Sequence, residues 1–219
     1  MNKYTIHNEE LLETKCAKYL GVNIDSKLNW NSQINLTCRK AYSSLAFIKR
    51  NLSHAPKSTK EQCVKALVKP ILEYGCCVWD PHTRKQKDEL EKVQKNAARF
   101  ITNSYEYTPG STKINMQKLN WIPLEEQRAR IKSTIFYKGI NKLIDIPIKE
   151  CQLNSHNINT RQNNENTYCI PKSKLDCHLY SYFPSSIRLW NSIPITIKCS
   201  PTVDTFKQSL DKIILKAKY

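Results

Sequence analysis

Glycine is scarce, with four in 219 residues. That shortage argues against a sandwich or barrel built on repeated glycine turns. Carboxylates are short as well: 19 Asp and Glu face 35 Lys and Arg, a formal charge of +16. No apolar run approaches the ~20 residues that a spanning helix needs. The amino terminus has neither a secretory nor a transit-type pattern, so an intracellular location is expected and a membrane is not an expected partner. The nine cysteines contain no C-x2-C pair, which predicts reduced thiols rather than a disulfide framework or a zinc site. Cys169, Cys177 and His178 come nearest to a metal set, at a spacing that matches no zinc pattern.

The groups that carry chemistry are missing in the same way. Two-metal phosphoryl transfer needs neighbouring carboxylates to hold its cations, and no two aspartates adjoin. The pairs Glu9-Glu10 and Glu125-Glu126 have the character of exposed turns or helix starts. There is no G-x-S-x-G and no glycine-rich phosphate loop. This chain is not expected to be an enzyme on its own, and no cofactor is implied by its residues.

What the chain has is apolar periodicity. Hydrophobic residues make up 40%, enough for a core. The expected fold is mainly α with a small N-terminal β-hairpin, a helical bundle, and a small α/β C-terminal piece. Tyr4 and Ile6, with Leu11 and Leu12, flank a polar His7–Glu10 turn; Leu20, Val22 and Ile24 alternate like a strand, in which Gly21 would mark a bulge. Ile34, Cys38, Ala41, Leu45, Ile48 and Leu52 fall at helical spacing. Ser58 or Thr59 is a candidate cap for the next helix, which Pro70 should kink or split. Thr83 should cap a helix from Arg84 to about Thr102. A short helix follows Ser111 with Ile114 and Leu119 inward, and another runs from Pro123 to about Ile144 with Ile131, Ile135 and Leu143 inside. The asparagine-rich stretch from Glu150 to Asn166 has the composition of a linker. The expected units are therefore 1–30, 31–149, a linker at 150–167, and 168–219. Trp30, Trp79, Trp121 and Trp190 sit at element boundaries, where bulky rings plug a core.

The positive excess attracts polyanions, of which phosphate backbones are the commonest. Lys92, Lys95 and Arg99 share a broad face of one helix with Lys85; Arg128, Arg130 and Lys132 crowd the start of another, and Lys49 and Arg50 close the helix that begins near Asn31. Five of these, Lys92, Lys95, Arg99, Arg128 and Lys132, are the expected phosphate contacts. Tyr105 and Tyr107 are candidates for stacking on unpaired bases.

Several blocks carry a resemblance. They begin with Lys18-Tyr19-Leu20-Gly21-Val22-Asn23-Ile24-Asp25, then Lys27-Leu28-Asn29-Trp30. Leu67-Val68-Lys69-Pro70-Ile71-Leu72-Glu73-Tyr74-Gly75 follows, leading to Val78-Trp79-Asp80-Pro81. Next come Leu90-Glu91-Lys92-Val93-Gln94-Lys95-Asn96-Ala97-Ala98-Arg99-Phe100 and the late block Phe183-Pro184-Ser185-Ser186-Ile187-Arg188-Leu189-Trp190-Asn191-Ser192-Ile193-Pro194. In this order they resemble the C-terminal part of non-LTR (LINE-type, jockey- and CR1-like) retrotransposon reverse transcriptases. The resemblance implies that Tyr19, Leu20 and Gly21 belong to a primer-grip-like hairpin at the end of the palm, and that the helices after Trp30 form a thumb-like bundle. It also implies that the magnesium-binding Asp-Asp block belongs to a palm not contained here, so magnesium is expected only in the full-length polymerase. The expected partner is RNA or an RNA–DNA duplex, bound without regard to sequence. The alternatives are a protein-interaction module, meeting an intact reverse transcriptase in trans, or a non-functional remnant of a decayed element.

Overall fold

In this computed structural model, residues 4–7, 9–10, 13–106, 108–146 and 167–216 are described. The expected linker at 150–167 and the residues Leu11, Leu12 and Tyr107 lie outside that set, Thr167 excepted. The chain opens with two antiparallel pairs. The first is β1 (Thr5–Ile6) with β2 (Glu9–Glu10), the second β3 (Cys16–Tyr19) with β4 (Val22–Asp25), in register Tyr19↔Val22 and Cys16↔Asp25. Leu20 and Gly21 form the two-residue turn of the second hairpin, at φ +45° and +82°. Positive φ at both central residues marks the turn type whose twist matches its strands. Gly21 is therefore a turn residue and not a bulge inside a strand, and Leu20 is cut off from Val22 and Ile24. Leu20 pays a left-handed backbone strain of about 1–2 kcal/mol. The Tyr74 hydroxyl, donating to the Leu20 carbonyl at 2.7 Å, offsets part of it.

Helices follow. α1 (Asn31–Asn51) is one continuous amphipathic helix, and α2 (Lys57–Leu67) starts directly after Pro56, so neither Ser58 nor Thr59 is its cap. The chain breaks at Val68, before α3 (Lys69–Glu73), because Pro70 has no N–H to continue the ladder. A short α4 (Cys76–Trp79) starts from Gly75, whose φ is +62°. Any Cβ at Gly75 would stand 3.2 Å from Val22 Cγ2, so the loop before α4 presses closely on the hairpin. Thr83 then caps α5 (Arg84–Thr102), its hydroxyl accepting from the Gln86 amide, and left-handed Asn103 ends it with Ser104 N–H donating back to the Arg99 carbonyl.

α6 (Ser111–Lys118) differs from the apolar pattern: Ile114 is 53% exposed, while Asn115 and Met116 face inward. The Asn115 amide is satisfied inside by the Ser104 carbonyl at 3.4 Å. α7 (Leu124–Ile140) stops before the expected Ile144. Lys142 turns left-handed, and Leu143 N–H closes on the Lys138 carbonyl, a glycine-type stop made without glycine. Leu143 is consequently exposed.

The C-terminal piece carries α8 (Asp176–Leu179), α9 (Tyr182–Ser192), α10 (Ile195–Lys198) and α11 (Val203–Lys216). Ahead of these helices Tyr168 is a β-bridge residue, and a side chain of α9 holds it in place. Asn191 Oδ1 accepts from Tyr168 N–H and its Nδ2 donates to the Tyr168 carbonyl, so one side chain satisfies both backbone groups of that residue.

Two buried clusters result. Ile34, Ala41, Leu45 and Ile48 of α1 meet Val64, Leu72, Leu90, Val93, Ala97 and Ile101. Phe136 and Tyr137 of α7 meet Ile187, Trp190, Ile197, Phe206 and Leu210. Burying each such aliphatic side chain stabilises the fold by about 1.5–3 kcal/mol. α7 contributes Leu124 to the first cluster and its other end to the second, so it joins them. Trp79, Trp121 and Trp190 are buried and Trp30 is half-buried.

Candidate nucleic-acid interface

α1 and α5 pack side by side, with Leu45 and Ile48 against Leu90, Val93 and Ile101 in one core. Their outward faces then form a continuous seam. Along α1 the exposed cations are Arg39, Lys40 and Arg50, with Lys49 half-buried. Arg39 and Arg50 are eleven residues, three helical turns, apart and so point the same way, about 16 Å from one another along the axis. Not one Asp or Glu occurs in α1. Across the seam the Asn96 amide donates to the Tyr42 hydroxyl at 3.3 Å, and Lys85 and Lys92, two turns apart, are exposed along α5. α1 supplies cations with no carboxylate of its own, while α5 brings Glu89 beside Cys38; a surplus of cations on a rigid backing, with an exposed ring, favours phosphate contact.

Burial tunes the groups at this seam. It lowers the Lys49 ammonium below its ordinary range and raises the Tyr42 hydroxyl. It pushes the Cys38 thiol up to about 11, with the Glu89 charge adding to the effect. Cys38 therefore stays a protonated, unreactive packing residue at neutral pH.

The five expected phosphate contacts divide. Lys92 is on the seam. Lys95 and Arg99 lie further round α5, on the side facing α6, where Arg99 donates to Thr112 Oγ1 at 3.1 Å and to Asn96 Oδ1 at 3.2 Å. Arg128 and Lys132 are inside, with side chains 1% and 3% exposed. Arg128 Nε stands 2.7 Å from Asp80 Oδ1 and Lys132 Nζ 2.6 Å from Asp80 Oδ2, and the ammonium also donates to Ser185 Oγ at 3.1 Å. Desolvating a cation is tolerated only with a partner in good geometry. Both cations are thus committed to a structural triad, and the phosphate role expected of them does not carry over.

A groove of about 880 Å³ between α5, α6 and the start of α7 looks at first like a better channel. Its walls contradict that use. Arg84, Lys87, Lys95 and Lys113 are matched by Asp88, Glu91, Glu125 and Glu126. Lys87 pairs with Glu125 at 2.6 Å and Arg84 with Asp88 at 3.2 Å. Glu91 accepts from the Leu124 amide at the start of α7, and burial raises its pKa. A charge-balanced groove offers a phosphate backbone little field.

Tyr19, Leu20 and Gly21 occupy the hairpin tip. Tyr19 and Leu20 are exposed, at 66% and 74%, while Gly21 approaches the Tyr74 ring closely enough that a Cβ would sit 3.5 Å from it. The tip is clamped and its two large side chains point away from the protein. Tyr105 is exposed in the loop after α5. Among the described residues no three His, Cys, Asp or Glu side chains converge to hold a metal ion, and no helix is long and apolar enough to cross a membrane.

Arg39 and Tyr42 escaped the sequence reading, which followed stripes of cations. The signal was an absence: no Asp or Glu occurs between Asp25 and Glu61, a stretch holding seven Lys and Arg.

Comparison with known proteins gives one informative likeness. Over 117 residues, 52% of its length, the chain is 28% identical to a Drosophila melanogaster protein described as "Probable RNA-directed DNA polymerase from transposon BS". The matched stretch is 13% of that protein's length. The chain is similar to part of a reverse transcriptase from a transposable element. No protein-family model matches it, and no solved structure does.

Proposed function

We propose that this chain is a reverse-transcriptase-derived module that binds RNA or an RNA–DNA duplex without polymerising it. The observation that carries the reading is the α1–α5 seam: four cations and no carboxylate on α1, seated against a helix that displays Lys85 and Lys92. The likeness to a transposon RNA-directed DNA polymerase supports the choice of nucleic acid over other polyanions. In this reading the origin is the C-terminal part of a non-LTR, jockey- or CR1-like polymerase. The Tyr19–Gly21 tip is its primer-grip-like hairpin, and the helices after Trp30 are its thumb.

Phosphate contacts fix a protein on a helix but carry no sequence information. Binding should therefore be indifferent to sequence. Fluorescence anisotropy with two RNA–DNA duplexes of equal length and scrambled sequence is the test. Affinities within about threefold of each other are expected, since each specific base contact would add roughly 1–3 kcal/mol. Binding to one duplex and not the other would overturn the reading.

A protein-interaction module is the second reading, favoured by one observation: Tyr19, Leu20 and Tyr74 form an exposed apolar cluster at the hairpin tip. Self-association in the absence of nucleic acid would support it.

A further inference from the structure

A second groove, of about 600 Å³, opens where the residues after the hairpin meet the α4–α5 junction and the α8–α9 turn. Its wall carries two rings from distant segments. His82 and Tyr180 are stacked with centroids 4.4 Å apart and planes 7° from parallel. Behind them the Arg188 guanidinium carbon lies 5.6 Å from the Tyr180 centroid, held there by a 2.6 Å hydrogen bond to the Leu179 carbonyl. His82 is exposed and belongs to neither buried cluster. The pair is a flat π surface at a groove wall, made by residues the core does not require.

The charge around it favours an anion. Lys27 and Lys85 line the groove. Asp80 also lines it, but Arg128 and Lys132 neutralise that carboxylate from behind, leaving Asp176 as the opposing charge. Lys85 is shared with the α5 row that holds Lys92, so the groove continues the seam rather than standing apart from it.

A flat ring surface flanked by cations fits an unpaired nucleotide. Every base has a π face, whereas bases inside a duplex are already stacked on both sides. We propose that this groove holds a single-stranded extension of the bound nucleic acid, one base stacking on the His82 end of the pair and the flanking phosphates resting on Lys27 and Lys85. The inference rests on the duplex-binding reading above and adds a second, strand-specific subsite to it.

The test uses the full chain and two labelled RNA–DNA duplexes, one blunt and one with a short single-stranded overhang carrying 2-aminopurine. The overhang should tighten binding by about tenfold, the scale of one base stacked on an aromatic ring, and the 2-aminopurine fluorescence should be quenched. His82→Ala should remove both the gain and the quenching while leaving blunt-duplex affinity unchanged; His82→Phe should keep both. Equal affinity for the two duplexes, or a gain that survives His82→Ala, would overturn the subsite. If the blunt duplex binds and the overhang adds nothing, the subsite alone fails. If neither duplex binds, the duplex-binding reading fails and the subsite falls with it.

Discussion

Asp80→Ala should destabilise the chain by about 3–5 kcal/mol, the scale for removing one partner from a buried ion pair. The reason is the burden left behind. Arg128 and Lys132 are almost wholly buried and both rely on the two oxygens of Asp80. Alanine would leave two cations desolvated, with Ser185 Oγ as the remaining partner of Lys132. A chain of this size loses roughly 2–4 °C of melting temperature per kcal/mol, so thermal unfolding should shift by about 6–20 °C. Replacing all three members by apolar residues of similar volume should recover most of the loss, because a buried ionic group adds little net stability over a well-packed apolar one. A shift of under about 1 kcal/mol for Asp80→Ala would place the triad in water, contrary to the geometry.

Charge reversal at Arg39 and Arg50 together should weaken duplex binding by about tenfold or more and flatten its salt dependence by roughly two phosphate contacts. Both side chains are exposed on the outward face of α1, away from either core, so folding should be little affected. The control is Lys113→Glu with Lys118→Glu on α6. It changes net charge by the same amount, and both residues are also exposed. If the seam is the interface, the control pair should lose far less. Equal losses from the two pairs would mean that binding follows the overall positive charge and not this surface.

What could be read from the sequence was local. The α5 boundaries, its Thr83 cap and the break at Pro70 follow from short-range rules of hydrogen-bond supply, and the structure agrees with each. The α1 stripe likewise needed nothing beyond its own spacing. The failures were long-range. Arg128 and Lys132 lie 48 and 52 residues from Asp80, so no window around them tells a buried cation from a solvated one. Ile114 broke the apolar rule because Asn115 found a carbonyl at Ser104, eleven residues earlier in the chain. The Leu20-Gly21 turn was hidden because alternation of apolar residues runs straight through it. For the candidate site, Lys92 was legible from its own helix and Lys49 and Arg50 from the end of α1, but Arg39 stood out only by noting where carboxylates fail to occur.

The most direct test of the central claim is a titration of an RNA–DNA duplex with the purified chain across salt, from roughly 50 to 200 mM. Arg39, Lys40, Arg50, Lys85 and Lys92 are the five seam cations that face solvent. Five neutralised phosphates predict that log affinity falls linearly with log salt at a slope of about −3.5 to −4.5. An affinity that does not change with salt, or no binding at the lower concentration, would contradict the account and leave the seam as an ordinary solvated helix face.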